Sequence, residues 1–164
     1  MHTDQKDTLV TWLNDAYAME QGIVEILERQ IDQFEDMPDA QQKVRQHLEL
    51  TKNQAERVRA CVERLGEDVS KTKSMIANIM GAVQGMSTGM ANDKAVKNAL
   101  ANFAIEHFEI ASYMILITAA REMGHEDIAG ICETIMEEEQ EMAAWLEQQL
   151  PMVTRQHLLT EAHS

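Results

Sequence analysis

The sequence predicts an all-α protein in which four long helices form a bundle of two antiparallel hairpins. Three observations carry this reading. Apolar residues recur every three or four positions over four separate stretches, the period of one helix face. Ala, Leu, Met, Glu, Gln and Lys dominate the 164 residues, aromatics make up 4%, and the only prolines are at 38 and 151; that is helix-forming material and foreign to a β-sandwich. Glycines at 66 and 124 each close a periodic stretch, and a longer Met- and Gly-rich segment divides the two pairs.

The first helix is expected from about Asp4 to Phe34, with Val10, Leu13, Tyr17, Glu20, Val24, Leu27 and Ile31 as its inward stripe. The acidic break Glu35-Asp36-Met37-Pro38 ends it, Asp36 serving as a cap and Pro38 fitting the first turn of the next helix. The second helix runs to Leu65, with Val44, Leu48, Thr51, Ala55, Val58, Val62 and Leu65 inward, and Gly66 stops it. His47 and Gln54 flank that stripe, while Glu49 and Glu56 face away as salt-bridge partners. From Ser70 to Ala91, methionines alternate with Gly81, Gly85 and Gly89; this reads as a loosely helical crossover whose Met side chains serve packing or an interface more readily than a copper site. The third helix spans about Asn92 to Met123, with Phe103, Glu106, Ile110, Met114 and Ile117 on one stripe. The fourth starts after His125 with the acidic turn Glu126-Asp127 and ends at Pro151, leaving a short polar tail. Its stripe is Ile128, Ile131, Cys132, Ile135, Met142 and Leu146, with Glu139 at its centre, Glu138 on its flank and Glu137 outward. A single domain over residues 1–164 is the expectation, with its core at about 4–150.

The net charge of −14 argues against a nucleic-acid partner, because phosphate attraction needs a basic face. No stretch reads as apolar for the ~18 residues a membrane span requires, and the N-terminus lacks a signal-peptide core, so neither a membrane nor secretion is expected. Cys61 and Cys132 form no CxxC pair and read as small buried thiols. A cytoplasmic location fits these features.

The informative departure from amphipathicity lies in the glutamates. Glu20, Glu106 and Glu139 fall where the helical period demands a hydrophobe, each near the middle of its helix, and Glu109 borders the same stripe as Glu106. His47 stands beside the stripe of the second helix. Burying several like charges is strongly unfavourable unless a cation neutralises them, and inward lysines or arginines are scarce. Carboxylates with a minority of imidazole select iron or manganese over a sulfur-rich zinc site. Shared-proton carboxyls are the other way to satisfy such a core. No Ser-His-Asp or Cys-His arrangement and no phosphate-binding glycine loop points to another chemistry.

The stretches Asn14-Asp15-Ala16-Tyr17-Ala18-Met19-Glu20, Gln46-His47-Leu48-Glu49-Leu50-Thr51, Glu106-His107-Phe108-Glu109-Ile110-Ala111-Ser112-Tyr113 and Glu138-Glu139 occur in that order. In them the chain resembles the YciE/YciF-type stress proteins, a branch of the ferritin-like superfamily. The resemblance implies a ferritin-like bundle with a crossover helix and a dimetal centre similar to that of rubrerythrin, with Glu20, His47, Glu106, Glu109 and Glu139 as ligands. This sequence departs from the usual Glu-x-x-His pairs: Val44 precedes His47 by three, Met142 follows Glu139 by three, and Leu50 replaces a glutamate common in relatives. His107 fits either a place at the ligands or a satisfied core histidine. Tyr17 and Tyr113 fit either redox partners or packed phenols with satisfied hydroxyls.

The expected function is metal-dependent redox or protective chemistry in stress response, an iron or manganese pair reacting with peroxide or dioxygen. The alternative is a non-catalytic helical stress or structural protein in which metal only stabilises the bundle or is absent. The Met-rich crossover also leads to the expectation of a homodimer.

Overall fold

The computed structural model describes residues 2–35, 37–69, 81 and 93–162. Four helices carry most of them: α1 (His2–Gln33), α2 (Pro38–Arg64), α3 (Lys94–Glu122) and α4 (Glu126–Ala162). All four lie where the periodicity placed them, and no strand occurs among the described residues. The Met- and Gly-rich crossover, Gly81 apart, falls outside those residues, as does the expected cap Asp36. Met37 occupies the N-cap position of α2, with Pro38 in the first turn as expected.

The two glycine stops form by the same local chemistry. Gly66 and Gly124 both have φ of +79°, the left-handed conformation that an L side chain adopts only with strain. After α2, Gly66 N–H donates to Glu63 O at 2.9 Å and Glu67 N–H to Val62 O at 3.3 Å. After α3, Gly124 N–H donates to Arg121 O at 2.9 Å and His125 N–H to Ala120 O at 2.8 Å. These paired bonds cap carbonyls that the helix ends would otherwise leave bare.

Backbones approach most closely within each hairpin, α1 against α2 and α3 against α4. Side chains set the register between hairpins. Gln30 and Asn102 exchange amide hydrogen bonds of 2.9 and 3.1 Å, and Asn98 donates to Gln33 at 3.0 Å, so α1 runs antiparallel to α3. Arg64 meets Asp127 at 2.9 Å and Gln54 meets Glu138 at 3.0 Å, so α2 runs antiparallel to α4. Each helix is therefore antiparallel to both neighbours, and the inward faces of all four converge on one core.

Three sequence expectations are corrected. The buried face of α3 is Ile105, Glu106, Glu109, Tyr113, Leu116, Ile117 and Ala120, whereas Met114 is 57% exposed and Phe103 and Ile110 are half-buried. Between Lys97 and Arg121 the helix has no charged residue besides Glu106 and Glu109, so no charged side orients it, and the carboxylates and Tyr113 set its rotation. The same lack of charge gives α3 a window with mean hydropathy of 1.3, long and apolar enough to cross a membrane, contrary to the expectation that no segment is; 39% of that window is buried in the bundle. Finally, α4 continues through Pro151 to Ala162 rather than stopping there. Pro151 removes one N–H and leaves the Glu147 carbonyl without its amide donor, but both residues are exposed, so water can take the vacant bond.

A buried carboxylate–histidine cluster

The interior at mid-bundle is polar. Glu20 of α1, Glu109 of α3 and Glu139 of α4 are 0% exposed, Glu106 of α3 is 1% and His47 of α2 is 6%. All five residues singled out as candidate ligands are thus buried. His47, Glu106 and Glu139 each present a ligand-type atom, and these atoms lie within 4.8 Å of one another. His47 Nε2 is 2.9 Å from Glu106 Oε1. Glu109 is one helical turn beyond Glu106 on the same face and lies among the carboxyls of Glu20 and Glu139.

Burial dominates the electrostatics. Burial first, and then the Glu139 charge, raise the Glu20 carboxyl to about 8. Burial raises Glu106 to about 7 and Glu139 to about 9, the latter also through its hydrogen bond with Glu106. Glu109 is pushed well above the ordinary carboxyl range by burial and then by the charges of Glu139, Glu20 and Glu106. Burial lowers His47, so its imidazole is neutral at physiological pH. The cluster resists holding four negative charges at once.

Few hydrogen-bond donors reach the carboxyls. Tyr113, 0% exposed, donates its hydroxyl to Glu20 Oε1. Gln54 Nε2 donates to Glu139 Oε1. Beyond neighbouring carboxyls, no donor reaches Glu20 Oε2, Glu106 Oε2, Glu139 Oε2 or either oxygen of Glu109, and His47 Nδ1 is likewise without a partner. Native interiors rarely leave so many acceptors bare in one place. Arg57 pairs with Glu138 at 2.5 Å; its charge also acts on Glu20, and its Nε has no acceptor.

Two members of the site, Gln54 and Arg57, escaped the reading of the sequence as site residues. The signal for Gln54 was present: it follows His47 by seven residues and therefore shares its face. Arg57 carries no such signal, because an arginine on a helix flank is ordinarily solvated. Gln54 and Arg57 have the i, i+3 spacing that a Glu-x-x-His pair uses in carboxylate-bridged bundles. On α2, then, an amide and a guanidinium face α4, and His47 supplies that helix's only buried imidazole. His107 is neither at the ligands nor in the core. It is exposed, with its ring centroid 4.5 Å from that of Phe103 in an edge-on contact. Tyr113 packs with its hydroxyl satisfied, and Tyr17 is half-buried. Glu49 and Glu56 are exposed beside Lys52 and Arg59, at 3.4 and 3.5 Å, as expected.

Four antiparallel helices around a buried carboxylate–histidine cluster define a bundle of the ferritin-like class. The chain belongs to the DUF892 family, a domain of unknown function, whose family model matches residues 4–159. A protein of Xanthomonas campestris is 32% identical, covering 96% of this chain and 99% of its own, with a TM-score of 0.82. The E. coli stress protein YciF is 23% identical, covering 92% of this chain and 97% of its own, at a TM-score of 0.80. The bacterioferritin of Desulfovibrio desulfuricans, which has a diiron site, is 20% identical and covers 94% of this chain and 85% of its own, at 0.78. The last two likenesses establish the ferritin-like fold, and the resemblance to YciE/YciF-type proteins holds.

Proposed function

We propose that the protein binds one or two iron or manganese ions in this cluster and serves peroxide- or dioxygen-linked chemistry in stress response. The observation that supports it is the set of bare carboxyl oxygens from three helices, buried together with His47 Nε2, 2.9 Å from Glu106, without a free cation among the described residues. Hard oxygen donors with one nitrogen suit iron and manganese. His47, Glu106 and Glu139 would hold a first ion. Glu20 and Glu109 are the remaining donors for a second, with Glu139 close enough to both to be shared.

Such ions, when bound, supply one-electron redox chemistry and a Lewis-acidic position for an oxygen ligand. The surrounding residues prepare the site. Tyr113 ties down one oxygen of Glu20 and Gln54 one oxygen of Glu139, which leaves the second oxygen of each facing the cluster. The neutral His47 ring keeps a nitrogen lone pair available. A cleft of about 30 Å³ beside His47 and Glu106, walled by Ile23, Val44, Met142 and Trp145, has room for one or two water-sized molecules and hence for a small oxidant.

The test is elemental mass spectrometry on gently purified protein and on a Glu20→Ala/Glu106→Ala double variant. Iron or manganese near one or two per chain, lost in a double variant that still shows a helical spectrum, is the expected result. Absence of metal from the unaltered protein, even after anaerobic reconstitution with both metals, would overturn the proposal. A second reading then takes over, favoured by the hydrogen bonds among the carboxyls themselves. Protonated, Glu20, Glu106, Glu109 and Glu139 satisfy one another, and the cluster is a structural polar core of a non-catalytic stress protein.

A further inference from the structure

Cys61 of α2 and Cys132 of α4 are free, and both are 0% exposed. They face one another across the seam between the hairpins. The register requires it: Gln54 and Glu139 are hydrogen-bonded, and a step of seven residues forward on α2 and seven back on antiparallel α4 leads to Cys61 and Cys132. Arg64 and Asp127, 2.9 Å apart, pin the next turn. The two thiols interact across the seam. A heptad of helix is about 10 Å, so the pair sits just below the carboxylate cluster.

We propose that Cys61 and Cys132 form a buried dithiol that hydrogen peroxide converts to a disulfide linking the two hairpins. The roles of the two sulfurs differ. Arg64 lies near Cys61, and its positive charge favours the thiolate there, which makes Cys61 the attacking sulfur. Cys132, raised by its interaction with Cys61 and by burial, with no cation among the causes of its shift, is the thiol that resolves the intermediate. Cys61 loses its proton and attacks one peroxide oxygen; the O–O bond breaks, giving a sulfenic acid and hydroxide, which the released proton converts to water. The Cys132 sulfur then attacks the Cys61 sulfur and the S–O bond breaks. Its departing hydroxide takes the Cys132 proton as a second water, and the S–S bond is formed. Two electrons pass from the sulfurs to peroxide, and no other reductant is needed. Peroxide is close to water in size and reaches the pair through local opening of the seam, where the backbones of α2 and α4 approach less closely than those within a hairpin.

The proposal is independent of metal. Its test is to treat the reduced, metal-free full chain with hydrogen peroxide, block remaining thiols, and digest with trypsin without reducing agent. A peptide reading is preferred to intact mass because the chain's 12 methionines also oxidise. The expected product joins Ala60–Arg64 to Glu122–Arg155, in protein that runs as a monomer on a non-reducing denaturing gel. The Cys132→Ser variant is expected to lose the linked peptide and to retain Cys61 as a sulfenic acid trapped by a dione reagent. Two blocked thiols and no linked peptide, separate over-oxidation of each cysteine, or linkage only between chains would each overturn it.

Discussion

At the scale of residues, the unusual element of this protein is a concentration of groups that cannot all be charged. Glu20, Glu106 and Glu139 are raised to about 8, 7 and 9, and Glu109 is raised as well, chiefly by burial. Each therefore holds its proton more tightly folded than unfolded. The folded state binds more protons than the unfolded one above pH ~4.5, so stability falls as pH rises from there through about 9. Thermal melts of the metal-free protein between pH 5 and pH 9 should show a falling Tm. Glu109→Gln removes one of the mutually repelling carboxyls while keeping its shape. It should stabilise the metal-free protein at pH 9 by about 1–4 kcal/mol in urea titrations and change little at pH 5, where the native carboxyl is already neutral. A Tm that does not change with pH would mean that the cluster does not hold those protons.

At the scale of elements, helix ends and helix rotation obey different rules. Gly66 and Gly124 end α2 and α3 through purely local hydrogen bonds, and any chain with those residues in that order would do the same. Pro151 shows the limit of local rules. A proline inside a helix removes one bond, at up to ~3 kcal/mol where the carbonyl it strands is buried, and far less where water reaches it. Because Pro151 is exposed, α4 extends past it into a segment whose Met152, Leu158 and Leu159 are more than half exposed. Pro151→Ala should restore the missing bond and slow amide hydrogen exchange over residues 151–162, leaving the unfolding midpoint of the bundle within about 0.5 kcal/mol of the original. Equal protection in both proteins would show that the stranded carbonyl has no consequence for the segment.

At the scale of the whole molecule, the two hairpins meet around a polar centre that their own apolar contacts must hold together. Apolar clusters on either side of it, with Leu9, Leu13, Val58, Val62, Leu116 and Ile128 at one end and Ile23, Leu27, Ile31, Ile105 and Leu146 at the other, pack at 0–9% exposure and supply the burial that offsets the desolvation of the glutamates. A ligand that binds only this assembled centre adds stability in proportion to the logarithm of its concentration. Manganese or iron at about a hundredfold excess over its dissociation constant should raise Tm by roughly 5–10 °C in a chain of this size. His47→Ala should abolish the rise. Because metal displaces protons from the carboxyls, the rise should be larger at pH 8 than at pH 6. Differential scanning calorimetry across those conditions checks both the size and the sign.

The four helices, their two glycine stops and the identity of the buried glutamates were legible in the order of residues alone. Each follows from properties a few residues carry alone: the 3.6-residue period, the left-handed preference of glycine, and the conflict of a carboxylate on an apolar stripe. The fourth helix shows how far that extends, since Ile128, Cys132, Ile135, Glu139, Met142 and Leu146 are all buried as their spacing requires. Tertiary structure decided what spacing leaves open. Helix α3 has apolar residues all round, so its rotation was fixed only when Glu106, Glu109 and Tyr113 met Glu20, His47 and Glu139 from the other helices. The pairing of Gln54 with Glu139, of Arg57 with Glu138 and of Cys61 with Cys132 depends on the relative register of α2 and α4, a quantity that belongs to two helices at once. Separated by about 70 to 85 residues of chain, these partners become neighbours through packing of one hairpin on the other, and no local pattern encodes that distance.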